Sequence, residues 1–315
     1  MVRSLRLIAV ATLMVSKAMM NFKNTRMEEP ILTSNPPTLN LTAVGQRSPS
    51  TSAPISNILI ARKYKFLTKN LIGRTVKDRY RSSMLGYLWS VLEPLLLAAV
   101  YYFLFNMLAG NPDRLYGVWV LIGVIIWTSF GKTLSATITS LSSNKGIINL
   151  IYFPRVIFPI SLMFSNIVLS LMSCIVIFPI LFAYGVVPSL YLLYIPAAVF
   201  LSGFLGIGLG MVFAPLNCIQ KDVEHLFRFI VRAGFFFSPV MWTYEMALER
   251  GTFSSTLLSF NPMVTPITIA RHGFAGHSTT LPTFSIVYSI SFAIIMWILG
   301  SIIFNRYERQ AVKYL

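Results

Sequence analysis

The sequence predicts an all-α membrane protein with several spans, and three observations carry that expectation. Hydrophobic residues make up 55% of the 315 and charged residues only 11%, with a mean hydropathy of +0.69, too apolar for a surface that faces water. The apolar residues fall into separate runs, each near the roughly 20 residues that a helix needs to cross a bilayer. The net charge of +16 collects in the gaps between these runs. A nucleic-acid-binding domain would spread it over one soluble face, so nucleic acid is not an expected partner.

Six spans are expected, at 87–108, 116–137, 156–184, 190–216, 227–244 and 283–304. The fifth is the weakest, because Arg228 and Arg232 interrupt its start. An even number of spans puts both ends of the membrane domain on one side. Segments 62–81, 132–155, 221–232 and 306–313 hold 8, 3, 3 and 3 basic residues, against Arg114, Arg250 and Arg271 in the opposite loops. Lys and Arg gather on the cytoplasmic side of short loops, so both ends are expected there.

Three regions follow: residues 1–56 as a disordered tail, 57–85 as an amphipathic segment lying in the membrane interface, and 86–315 as the six-span domain. Residues 33–56 are rich in Ser, Thr, Pro and Asn with no apolar period, which leaves too little apolar surface to fold alone. A targeting segment and a start placed too far upstream are competing readings of the first 61 residues. In the amphipathic segment, Ile60, Tyr64, Leu67 and Leu71 share one helical face. Ile72, Val76 and Tyr80 continue on a rotated face, with the shift expected at Gly73. The competing reading is a solvated run of charge.

The transition from this segment into the first span, RTVKDRYRSSMLGYLWSVLEP, is the most informative stretch. It supplies four gate candidates: Arg79, Arg81, Glu93 and Pro94. Glu93 is the only acid well inside an apolar run, where ionisable groups are costly and mark function or the headgroup boundary. Pro94 removes a backbone hydrogen bond one turn back and is expected to kink the helix.

No catalytic, metal or cofactor site is expected. Gly131-Lys132-Thr133 resembles the end of a phosphate-binding loop, but position 126, where the first glycine belongs, is Ile126. His225, His272 and His277 lack metal-ligand spacing, and Cys174 and Cys218 form no framework. Gly206 and Gly210 have the spacing that lets helix backbones approach, which reads as packing.

Several stretches together resemble the membrane subunit of ABC-2 type polysaccharide exporters. They are LGYLWSVLEP (85–94), LIGVIIWTSF (121–130), SSNKGIINLIYFPRVIFPIS (142–161), SPVMW (238–242) and Asn261-Pro262. The resemblance covers about residues 61–315. It departs before the fifth span, where Lys221-Asp222 stands for the family's Arg-Asp and a bidentate contact is lost.

The resemblance implies a homodimer in the bacterial inner (plasma) membrane, driven by a separate cytoplasmic ATP-binding subunit and surrounded by membrane lipids. The implied cargo is a lipid-linked polysaccharide of the O-antigen, capsular or teichoic acid type. It implies ATPase coupling through the loop at 144–155, with Asn144, Gly146, Tyr152, Phe153, Pro154 and Arg155 as the contacts. Short re-entrant helices are implied before the last span. Tyr101, Phe105, Trp127 and Phe130 are the candidates for lining the substrate path, since sugar C–H faces rest on rings; Tyr87 and Trp119 read better as interfacial anchors. The alternatives are an ABC-2 exporter of a lipid or drug, or a membrane-bound acyl- or glycosyltransferase. A transferase would show a polar catalytic cluster, which the sequence lacks.

Overall fold

A computed structural model describes residues 53–81, 83–109, 115–150, 153–249 and 258–314. Residues 1–52, and with them most of the expected tail, lie outside the described residues. The described residues are helical, with no strand among them.

The described residues open with α1 (Ala53–Lys63) and α2 (Lys65–Tyr80), so the boundary expected at residues 56/57 falls inside a helix. The break expected at Gly73 lies instead at Tyr64, whose φ of −99° and ψ of 32° leave the helix. The cause is tertiary. Asn305 Nδ2 donates to the buried Asn57 Oδ1 at 2.9 Å and ties α1 to the last helix, whereas α2 packs on the third span. Gly73 stays helical with open space beside it, because one glycine weakens a helix by only about 1 kcal/mol.

Gly86, at φ +51°, takes a left-handed conformation open to glycine without strain and turns the chain into a single 3-10 turn (Gly86–Leu88) and then α3 (Trp89–Ala109). Pro94 sits inside α3, which continues through it. The carbonyl it leaves without an N–H is that of Ser90. Ser173 Oγ, from the third span, donates to that carbonyl at 2.5 Å.

α4 (Tyr116–Ile138) is the centre of the bundle and is buried along most of its length. Two short helices, α5 (Ser140–Ser143) and α6 (Lys145–Leu150), lead to the third span. The third span, expected over 156–184, is the apolar stretch Ile157–Ala183, built of two helices, α7 (Ile157–Cys174) and α8 (Ile177–Ala183). Pro179 explains the break: it cannot donate to Ile175, and its ring crowds that carbonyl.

α9 (Tyr194–Ile219) packs on α4, α7 and, most extensively, the last helix. A Cβ on Gly206 would lie 3.0 Å from the Phe130 carbonyl oxygen, and one on Gly210 would lie 2.5 Å from Thr137 Cβ. Gly208 meets the last helix in the same way, 2.9 Å from Trp297 N. The glycine stripe is therefore a packing surface, as expected.

α10 (Asp222–Phe237) replaces the fifth span expected at 227–244. It begins earlier because Asp222 and Glu224 sit in its first turn, where acids complement the helix dipole. It ends at Ser238, which is extended and receives Asn261 Nδ2 on its Oγ at 2.9 Å. At 16 residues it is about 24 Å long, short of the ~30 Å apolar core. By length and composition five helical stretches among the described residues can cross a membrane: Gly86–Leu104, Tyr116–Ile138, Ile157–Ala183, Leu190–Ile219 and Thr283–Tyr314.

Between α10 and α13 (Thr283–Ala311) come α11 (Tyr244–Glu249) and α12 (Val264–Ala275). Nearly all of α12 is buried, against α4 and α9.

Candidate functional site

The antiparallel pair α3 and α4 sets the site. Glu93 lies four residues into α3 and Lys132 six residues before the end of α4, so at 1.5 Å per residue they sit about 6 Å and 9 Å from the same end of the bundle. Lys132 Nζ donates to Glu93 Oε2 at 2.7 Å, with the side chains 36% and 45% exposed.

α2 adds Arg79, whose Nη2 donates to Asn166 Oδ1 of α7 at 3.1 Å. Asn166 Nδ2 is buried without a partner. Tyr80, Ser90, Pro94, Thr128 and Ser173 complete a small polar cleft where α2, α3, α4 and α7 meet. Two cations and one carboxylate leave it one net positive charge. A half-exposed ion pair holds weakly, about 0–1 kcal/mol, and can exchange partners.

Of the gate candidates, Arg79, Glu93 and Pro94 come together here, while Arg81 is exposed at the end of α2 and is not among the lining residues. Lys132, Asn166 and Ser173 were not singled out from sequence. The available signal for Lys132 was that it is the one basic residue inside the second apolar run, at a depth that matches Glu93.

The aromatic candidates form a second group. Tyr101 lies 4.9 Å from Phe235 of α10, Trp127 lies 6.3 Å from Phe235, and Trp127 lies 5.4 Å from Phe130, all between ring centroids. Trp127 and Phe130 are buried in the single chain, and Gly234 of α10 lets the Trp127 ring approach to 3.0 Å from where a Cβ would stand. The Phe105 side chain lies outside what the structure describes. Phe235 and Gly234 were missing from the sequence reading because the α10 register was shifted.

In the loop expected to couple to an ATPase, Asn144 joins α5 to α6, its Nδ2 donating to Ser140 O at 2.8 Å. Gly146 faces open space. Tyr152 lies outside the described residues. Phe153 rests 5.2 Å from Phe158, and Pro154 and Arg155 supply the carbonyls of the first turn of α7. Arg155 has no carboxylate partner among the described residues.

Arg271 corrects the charge tally. Counted from sequence as a loop charge, it is 4% exposed in α12. Its guanidinium donates to the carbonyls of Val240 at 2.8 Å, Trp119 at 3.0 Å and Trp242 at 3.1 Å. Gly123 makes room, since a Cβ there would lie 2.9 Å from Arg271 Nη2. Tyr116 donates its hydroxyl to the carbonyl of Met241 in the same segment. Next to it, His272 Nε2 lies 3.5 Å from Glu245 Oε1. The hydrogen bond with His272 holds the Glu245 carboxyl down at about 2, against the opposing effect of its partial burial.

Five apolar helical stretches, a charged cleft at one end and a fixed cation at the other define a multi-pass membrane protein with transporter build. Residues 67–275 match the family described as ABC-2 type transporter, and the chain belongs to that family. It is 30% identical to an O-antigen export system permease protein RfbA of Klebsiella pneumoniae over 246 residues, 78% of this chain and 93% of that protein. It is 24% identical to a Myxococcus xanthus protein of the same description over 249 residues, 79% of this chain and 95% of the relative. A polysialic acid transport protein KpsM of Escherichia coli is 22% identical over 214 residues, 66% of this chain and 80% of the relative.

Proposed function

We propose that this chain is the permease subunit of an inner-membrane exporter of lipid-linked polysaccharide, working as a homodimer with a separate ATP-binding subunit. The observation that carries the reading is the similarity to O-antigen export permeases over more than nine-tenths of their length. The arrangement of the chain supports it. The cleft holding Glu93 and Lys132 lies at the end where most basic residues fall, the end read as cytoplasmic. Its net positive charge suits the phosphate-bearing head of a lipid-linked glycan, for which the Lys132 amine exchanges Glu93. The rings of Tyr101, Trp127 and Phe130 lie deeper and supply apolar faces along the path. In this reading the loop at 144–155, whose Arg155 has no carboxylate partner among the described residues, seats in a cytoplasmic partner, where a guanidinium forks onto a carboxylate.

The test is complementation. Expressed with its ATPase partner in a strain lacking its own O-antigen export permease, the chain is expected to restore glycan at the cell surface. Arg155→Glu is expected to abolish that export while the protein still reaches the membrane at normal level. Restoration of a lipid or drug efflux phenotype without surface glycan would replace this reading with the alternative cargo.

A further inference from the structure

A second hollow, lined almost wholly by apolar surface, lies apart from the charged cleft. It is a cavity of about 450 Å³ nearer the start of α2, walled by Ile58, Ile160, Met163, Phe164, Phe204 and Trp297 and rimmed by Lys65 and Lys69. Its volume is in the range of built ligand sites, about 300–1,000 Å³. Five helices make it: α1 and α2 form one side, and α7, α9 and α13 the rest of the wall. The rings of Phe204 and Trp297 pack 5.4 Å apart, with Trp297 buried, and those of Phe164 and Phe200, both exposed, lie 6.3 Å apart.

Two features say what fits. Lys65 and Lys69 are one helical turn apart on α2, both at the rim, and neither has an ion pair or hydrogen bond among the described residues. Isolated ammonium groups over an apolar hollow call for an anion joined to something apolar. The depth fits a single leaflet. Trp297 stands nine residues before Arg306 on α13, about 14 Å along the helix, close to half of the ~30 Å apolar thickness. The neighbouring Ile55, Ile58, Leu59 and Phe66 are exposed apolar residues on α1 and α2, as expected of helices that lie in the interface with their apolar side chains in lipid.

We propose that this hollow is a binding site for one anionic phospholipid of the same leaflet, with its phosphate between Lys65 and Lys69 and an acyl chain running down to Phe204 and Trp297. The site is separate from the charged cleft, about two turns back along α2 from Arg79, and would pin the two-piece interfacial helix to α7 and α13. Exposed basic residues elsewhere on α1 and α2 attract the leaflet charge in general; Lys65 and Lys69 are the basic residues that line this hollow.

The experiment uses the full chain purified in neutral detergent and phosphatidylglycerol carrying a diazirine on its acyl chain. Photolabelling is expected on peptides of α7, α9 and α13 that contain Met163, Phe204 or Trp297. Unlabelled phosphatidylglycerol should compete, phosphatidylcholine should compete roughly 10-fold less well or worse, and glycerol phosphate, the headgroup alone, should not compete. K65Q/K69Q is expected to weaken labelling roughly 10-fold or more, while the charge-matched R62Q/K77Q changes it less than about 2-fold. Equal competition by phosphatidylcholine would show an unselective crevice, and competition by glycerol phosphate a free phosphate site. Equal loss in both variants would show general surface charge, and cross-links from the hollow to a second copy of the chain would show a protein contact. Each of these four results overturns the proposal.

Discussion

The molecule holds charge inside its apolar body in two ways, at opposite ends. Near one end, Lys132 and Glu93 satisfy each other and remain 36% and 45% exposed. Near the other, Arg271 is 4% exposed and is held by three backbone carbonyls from two separate segments. An ion pair that water can reach costs little to open, because solvent takes up both partners. A buried guanidinium that satisfies three carbonyls cannot leave without stranding all of them. The first arrangement suits a part that changes partners, and the second suits a part that must stay fixed.

Removing the staple should have the largest effect. Arg271→Met keeps the volume of the stem but leaves the carbonyls of Trp119, Val240 and Trp242 unpaired. A loss of about 3–5 kcal/mol is expected, visible as low yield and a collapsed Tm in detergent. A normally stable Arg271→Met protein would show that the staple is not structural.

Breaking the exchangeable pair should leave the fold and change the transport. Glu93→Gln and Lys132→Met should each shift stability by no more than about 1 kcal/mol while export falls at least several-fold. A pair that served only the fold would do the reverse, with stability and export falling in proportion.

The aromatic group lies between these extremes in depth. Trp127→Leu and Phe130→Leu keep the side chains apolar and remove the rings that meet each other 5.4 Å apart. Aromatic contacts of this kind contribute about 0.5–1.5 kcal/mol beyond burial, so both proteins should fold. Export is expected to slow and to yield shorter surface chains. Normal rate and chain length in both variants would mean that the rings only pack against Phe235.

The smallest effect sharpens the end of the molecule that holds Arg271. Glu245 titrates near 2 in the folded chain against an ordinary 4.5, chiefly through its hydrogen bond with His272. A lowered carboxyl stabilises the fold above its ordinary value and loses that contribution as pH falls from there toward the folded value. Tm is therefore expected to decline between about pH 5 and 2 more steeply in the parent than in Glu245→Gln. The difference should be small, because the Glu245 side chain is 52% exposed and water screens the pair. Equal slopes in the two proteins would mean that the Glu245–His272 contact adds nothing to the Arg271 end.

Much of the fold was legible because the apolar runs obey a length rule that the bilayer imposes. The second and last spans were found within a few residues at their starts, and the glycine stripe was read as packing, which the 2.5 Å approach to Thr137 bears out. The shift in the fifth span had a local cause that was present in the sequence, the Asp222 and Glu224 pair that opens α10. The split third span had one as well, in Pro179. Half of the charged cleft was legible. Glu93, Pro94 and Arg79 were visible as a charge, a proline and a basic residue at a membrane edge, whereas Lys132 was read as a false phosphate-loop lysine and as one of the three basic residues of 132–155.

The sequence by itself determined the class, the apolar runs and the sign of the charge at their ends, since hydropathy and charge act along the chain and need no partner. Tertiary structure alone decided which residues meet. Ser173 answers the carbonyl that Pro94 leaves open 83 residues away. Lys132 closes on Glu93 across two antiparallel helices. Arg271 becomes a staple instead of a loop charge because α12 is drawn in against α4, 152 residues from Trp119 to Arg271 along the chain. Such pairings depend on the depth and rotation of whole helices against each other, and close packing of many side chains sets those quantities at once.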